Sequence, residues 1–315
     1  MNDKHALFSG VLATVILCML LILTLFTYLS FLTIWFLPLP VMYLGAKFGW
    51  RGGVIGLAVS FVLLAGFGMN SLFTLFPIFF FVMGLAMAVA VNYKTSAFAI
   101  LLSGGLANCE VLIAFLAISV LYFHYNISQE VVTFLTQAYN QAVKEMGSTL
   151  NGQDLSMLRA YKETIPDIIY LVPGGIVVVS FSYALIISLI SLPILRLFHI
   201  NAPHWVAFRK WQMPKSILWL YLIVLLARLT NIVGETGTPV NIVTLNFNYA
   251  LQIALAIQGF SFLFAFAYRR KWPLVMPILL SVVLAILGFT PLEMVTILGI
   301  IDLGFDLRGR IPEKK

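Results

Sequence analysis

The chain has 315 residues, 61% of them hydrophobic and only 10% charged. Its mean hydropathy is +1.01, which excludes an ordinary soluble domain, where about a quarter of residues are charged. The formal charge of +7 does not point to nucleic acid. The cations sit in short loops between apolar runs, the pattern that orients membrane proteins.

Crossing a hydrocarbon core of about 30 Å takes about 20 apolar residues as a helix. Such runs cover 6–28, 30–47, 53–69, 72–92 and 97–122, then 167–195, 216–233, 246–268, 274–288 and 291–305. An isolated strand leaves its backbone unsatisfied in lipid. The fold class is therefore all-α, one polytopic transmembrane helical bundle over 1–315, with nine or ten spans. The first run, after "MNDKH", is too long for a signal-peptide core and reads as an uncleaved span. "PLP" at 38–40 must kink or break the second, since proline lacks a backbone donor. Gly45, Gly49 and Gly53, with Gly52 and Gly56 alongside, predict a tight hairpin between the second and third spans.

Residues 123–166 form a polar insertion. Val131, Leu135, Ala138, Ala142 and Met146 recur at helical spacing, as do Leu155, Leu158, Tyr161 and Ile165 after Asn151–Gly152. Both stretches read as amphipathic helices outside the membrane, either a solvated cap or a lid over an outward cavity. Trp205, Arg209, Trp211 and Pro214 mark an interfacial segment, because indoles and cations favour the headgroup zone. Pro214 opens the next span. The last two runs, separated by "GFTP" at 288–291, are a hairpin or one kinked helix.

Lys47, Arg51, Lys94, Arg196, Arg209, Lys210, Lys215, Arg269, Arg270 and Lys271 fall on one side, while loops near 28–30, 70–72 and 234–245 hold no Lys or Arg. Lysine- and arginine-rich loops face the cytoplasm, which places both termini inside and favours ten spans, with a cytoplasmic tail at 306–315.

Glu110 and Arg228 each lie about 18–20 Å into their runs at 1.5 Å per residue. They are opposite in sign, and an unpaired charge at that depth costs at least ~2.5–3.5 kcal/mol. Glu110 shares a face with Ser103, Ala107, Ala114 and Ala117, whereas Arg228, Asn231 and Glu235 form a polar stripe. Gln258 reaches similar depth, with Asn248 and Gln252 nearer the outside. Two readings stay open. The charges are a helix-packing pair, or these residues line a pocket for a small polar or anionic solute. Cys18 and Cys109 offer no disulfide framework or metal-ligand spacing. His5, His124, His199 and His204 sit in tails or loops, and no Walker, HExxH or nucleophile-elbow motif occurs. Asp302, Asp306, Arg308 and Arg310 read as pairing that ends the last helix, Asp306 with Arg310.

"FRKWQMPKSILWLY" at 208–221 and "LGIIDLGFDLRGR" at 298–310 resemble the YybS-like family of predicted bacterial membrane proteins, a domain of unknown function. Phe208–Arg209–x–Trp211–x–x–Pro214 and Asp302 with Asp306–x–Arg308 are the most specific parts of that resemblance. The family's N-terminal half is similar in plan to substrate-binding subunits of energy-coupling-factor vitamin transporters and to the rod-shape protein MreD. The first similarity implies a solute-binding or transport-related subunit of the bacterial cytoplasmic membrane. The second implies a non-transporting scaffold for envelope or signalling partners. The expected chain is not an enzyme and carries no cofactor or metal. Its expected partners are the lipid bilayer, a small polar or anionic solute, and a membrane or cytoplasmic protein, with no nucleic acid.

Overall fold

The computed structural model describes residues 3–66, 72–146, 162–230, 232–286 and 289–310, all helix, turn or coil with no strand among them. The helices are α1 Asp3–Phe26, α2 Ser30–Thr33, α3 Pro38–Phe48, α4 Trp50–Gly66, α5 Leu72–Asn92, α6 Ala97–Leu121, α7 Ile127–Met146, α8 Val172–Leu197, α9 Ser216–Leu229, α10 Pro239–Arg269, α11 Val275–Ile286, α12 Phe289–Phe305 and α13 Leu307–Arg310. Among the described residues five stretches are long and apolar enough to cross a membrane: Leu7–Phe26, Ser30–Phe48, Ala97–Leu121, Pro166–Leu197 and Pro239–Arg269. Shorter apolar helices cover Ile78–Asn92, Ser216–Leu229 and Val275–Leu284. The chain divides into two compact units, one of residues 1–137 and 175–205, the other of 138–174 and 206–315.

In the first unit the proline break appears as read. The second run splits into α2 and α3, with Pro38 and Pro40 opening α3, where a missing N–H is harmless. A broken helix in an apolar surround strands backbone carbonyls, and here the Tyr183 hydroxyl of α8 donates to Ile34 O at 2.7 Å. Across the break the Thr24 and Thr33 hydroxyls meet at 2.8 Å. The glycine hairpin is also present. Gly49 turns the chain at φ +77°, a conformation that favours glycine. Beyond it, a Cβ on Gly53 would stand 3.3 Å from Gly45 Cα, and one on Gly45 would press Ala88 of α5 at 2.6 Å. Asn92 Nδ2 then donates to Gly45 O at 2.7 Å. The core is mainly apolar, with Leu17, Met42, Phe81, Met87, Ile100 and Ile187 fully buried.

The second unit is built on α10, which at 31 residues is about 46 Å long. Gly259 of α10 and Gly299 of α12 let the two backbones touch. A Cβ on Gly259 would land on the Val295 carbonyl, and one on Gly299 on the Leu255 carbonyl. Near its start, Asn246 is a clamp. Its Nδ2 donates to Tyr170 O and Ile242 O, both at 2.7 Å, while its Oδ1 accepts from Gly174 N at 2.7 Å. The 3-10 turn Pro166–Leu171 is thereby fastened to α10.

Two boundaries differ from the sequence reading. The run at 246–268 belongs to a helix that begins at Pro239, because Thr238 caps it by accepting from Asn241 N at 3.3 Å and proline suits the first position. The run at 216–233 ends as a helix at Leu229, and it opens at Ser216 rather than at Pro214. The first amphipathic helix is α7, whereas the reading at 155–165 lies largely outside the described residues. At "GFTP" helix is described on either side, as α11 and α12, while 287 and 288, on which the choice between hairpin and kinked helix turns, lie outside the described residues.

Alanine at Gly259 or Gly299 must push the backbones apart, and overpacking of this kind costs typically 1–3 kcal/mol. Gly175, whose added Cβ meets nothing within 4 Å, is the control. Thermal unfolding of the purified protein should show both crossing variants destabilised and Gly175→Ala unchanged or slightly stabilised.

Candidate functional site

The close crossing of α10 and α12 sets neighbouring side chains face to face. Gln258 precedes Gly259, and Asp302 lies three residues, just under one turn, beyond Gly299. Both are buried, at 1% exposure each, and Gln258 Nε2 donates to Asp302 Oδ2 at 2.5 Å. A carboxylate with so little water requires a counter-charge. Arg308 supplies it, its Nε standing 2.8 Å from the same Oδ2.

The pairing spans six residues, which a continuous helix does not allow. Asp306 makes it possible by taking φ +49°, a left-handed conformation that aspartate tolerates better than most residues. The chain turns after Phe305 and Arg308 folds back. Its other four N–H groups are also occupied. Nη1 donates to Arg209 O at 3.0 Å and Trp211 O at 2.8 Å, while Nη2 reaches Ser261 Oγ at 3.2 Å and Gln258 O at 3.4 Å. Guanidinium has five N–H donors, so none is left for a ligand.

The two carbonyls that Nη1 binds belong to the 208–213 segment, a single 3-10 turn followed by extended chain. Ser261 Oγ donates to Phe208 O or Trp211 O, at 2.7 and 2.8 Å, and Gln258 Oε1 accepts from Met213 N at 2.9 Å. The Arg209 guanidinium lies 3.8 Å from the Tyr268 ring centroid, and the Phe208 ring meets Trp211 and Phe264 edge-on. The two motifs carrying the sequence resemblance are thus halves of one latch, joined across the end of α10. One atom stays unsatisfied, the buried Asp302 Oδ1.

The other sequence-selected residues fall elsewhere. Trp205 lies half-buried against the core of the first unit, and Pro214 is exposed. Arg228 is exposed in the last turn of α9, where a cation complements the helix dipole, and Glu235 is exposed in the following loop. Gln252 is half-buried, Gln258 is committed to the latch, and Asn231 lies outside the described residues. Glu110 is in the middle of α6, thirteen residues from Ala97 and eleven from Leu121. It shares an exposed face with Ala114 and Ala117, while Gly104, Asn108, Cys109 and Phe115 turn inward. Glu110 has no hydrogen-bond or ion-pair partner among the described residues of its unit, and neither has Arg228. These two belong to different units.

The reading of Asp302 and its neighbours needs correction. Its partner is Arg308, not a helical pair at four-residue spacing; the side chain of Arg310 lies outside the described residues. Ser261, Met213 and Asn246 had no place in the sequence reading. An aspartate inside "LGIIDLGF" is the signal that a counter-charge had to be near.

These features define an all-helical membrane protein in which Asp302 and Arg308 are latched together and Glu110 stands within an apolar helix. The chain belongs to the family described as "Predicted membrane protein (DUF2232)", which matches residues 12–303. It is also similar to "Uncharacterized protein YybS" of Bacillus subtilis (strain 168), at 28% identity over 322 residues, covering 99% of this chain and 100% of that protein. No solved structure matches.

Removing one partner of a buried ion pair costs roughly 3–5 kcal/mol, whereas replacing both with apolar residues is often neutral. Asp302→Leu and Arg308→Met should each lower the unfolding midpoint strongly, and the double variant should recover much of the loss. Thermal unfolding of the four proteins measures this.

Proposed function

We propose that the protein is a non-enzymatic, solute-binding or transport-related subunit of the cytoplasmic membrane. It spans ten times with both termini inside, as the one-sided cations require under the orientation rule. The observation carrying this reading is Glu110, an exposed carboxylate about 16–19 Å from either end of a membrane-length helix. Lipid does not tolerate such a charge cheaply, and ionisable groups at this depth mark substrate or proton paths. The solute it serves is small and polar or anionic, with Glu110 as its proton carrier. The resemblance to energy-coupling-factor substrate-binding subunits points the same way.

A second reading, a scaffold for partner proteins, is favoured by the latch. It holds the 208–213 segment rigid beside exposed Lys210 and Lys215, a firm basic surface.

A thermal-shift screen of purified protein against vitamins, nucleotides and anions separates the two. A solute at 100 times its Kd stabilises by about 2.7 kcal/mol, or roughly 5 °C or more. The shift should appear in wild type and vanish in Glu110→Gln. No shift with any solute, or an equal shift in that variant, rejects the solute reading.

A further inference from the structure

Three apolar helices of the first unit end around one cavity: α3 at Phe48, α5 at Asn92 and α8 at Leu197. It measures about 550 Å³, and Lys47, Asn92, Lys94, His199 and Asn201 line it beside Phe198. None of the lining side chains is acidic.

Helix C-termini repel anions, so the charge must be weighed. Each end carries about half a negative charge, about one and a half in all, against two ammonium groups. The remainder is roughly half a positive charge. That suits a singly charged anion and disfavours a dianion. Several carbonyls at these helix ends are occupied. Asn92 holds Gly45 O at 2.7 Å, Lys94 N holds Val91 O at 2.9 Å, His199 N holds Arg196 O at 3.0 Å, and Ile200 N holds Leu195 O at 3.0 Å. The charged side chains lining the cavity are two cations, Lys47 and Lys94. Lys47 Nζ uses two of its three N–H groups, on Ser9 Oγ and Tyr43 OH, each at 2.8 Å, which fixes the ammonium and leaves one donor. Lys94 and His199 follow α5 and α8 in left-handed conformations, φ +53° and +61°, the common geometry of a helix C-terminus.

We propose that this cavity binds a singly charged phosphate diester, the chemistry of an anionic phospholipid headgroup or of a soluble diester. Two ammonium groups, two side-chain amides and an imidazole line one cavity, more polar partners than a planar carboxylate uses. The volume exceeds a bare ion. The ends of membrane-length helices also bring the cavity to headgroup depth, where basic pockets meet anionic lipid. This assignment does not depend on the solute reading of Glu110.

The test uses the full chain in detergent, stripped of lipid and then given equal phosphatidylglycerol and phosphatidylcholine, with native mass spectrometry counting what is retained. A second arm measures thermal shift with glycerophosphoglycerol, the same headgroup without acyl chains, and with acetate. Wild type should retain phosphatidylglycerol preferentially. Lys94→Gln should weaken it several-fold, and Lys47→Gln with Lys94→Gln roughly tenfold or more. Lys47→Arg keeps the charge and should keep the lipid, so loss through misfolding is distinguishable. Binding of glycerophosphoglycerol without lipid preference supports the diester and assigns it a soluble source. Equal retention of both lipids with no shift by the soluble diester, retention unchanged in the lysine variants, or an acetate shift as large as the diester's overturns the proposal.

Discussion

Apolar helices gain little by leaving lipid for one another, since the tails are as apolar as leucine, so contact has to come from shape. Both units meet that constraint by removing side chains where backbones must touch. In the first, Gly45, Gly53 and Ala88 bring α3, α4 and α5 together; in the second, Gly259 and Gly299 do the same for α10 and α12. The polar geometry follows from these crossings. Asn92 reaches Gly45 O because Gly45 admits α5 at Ala88, and Gln258 reaches Asp302 because the glycines beside them admit the approach.

The latch shows how a charge becomes tolerable at such a crossing. Asp302 alone would be strongly destabilising in its 1% exposed position. Arg308 offsets that by neutralising the carboxylate, and its Nη1 donates to the Arg209 and Trp211 carbonyls of a segment outside the α-helices. One side chain thereby solves two problems, the buried charge and the unpaired carbonyls of a segment that is neither helix nor sheet. Asn246 solves the second problem at the other end of α10, with an amide in place of an ion pair. Tyr183 does so for the break at Ile34.

Most of the helices could be read from the chain, because lipid selects for length and hydropathy and both are visible residue by residue. The break at Pro38 and the turn at Gly49 were equally legible, since each follows from the backbone chemistry of one residue. The start of α10 was not. Asn241, Thr244 and Asn246 look like loop by polarity, and only the Thr238–Pro239 cap reveals a helix. The latch was legible only as two stretches sharing a resemblance. Its i to i+6 pairing depends on a left-handed Asp306, and no helical spacing rule anticipates that. The depth argument for Glu110 survives as a position within α6. Arg228, by contrast, lies at the end of a helix about 21 Å long, where its charge also has a dipole to complement.

The sequence order of the latch bears on how the protein is made. Arg308 comes after every group it binds: Arg209, Trp211, Gln258, Ser261 and Asp302. During synthesis from the N-terminus the Arg209 and Trp211 carbonyls are made 99 and 97 residues ahead of the cation that binds them, whereas Asp302 precedes it by only six. The segment at 208–213 therefore waits for its clamp long after it is made, while the carboxylate and its counter-charge are made nearly together.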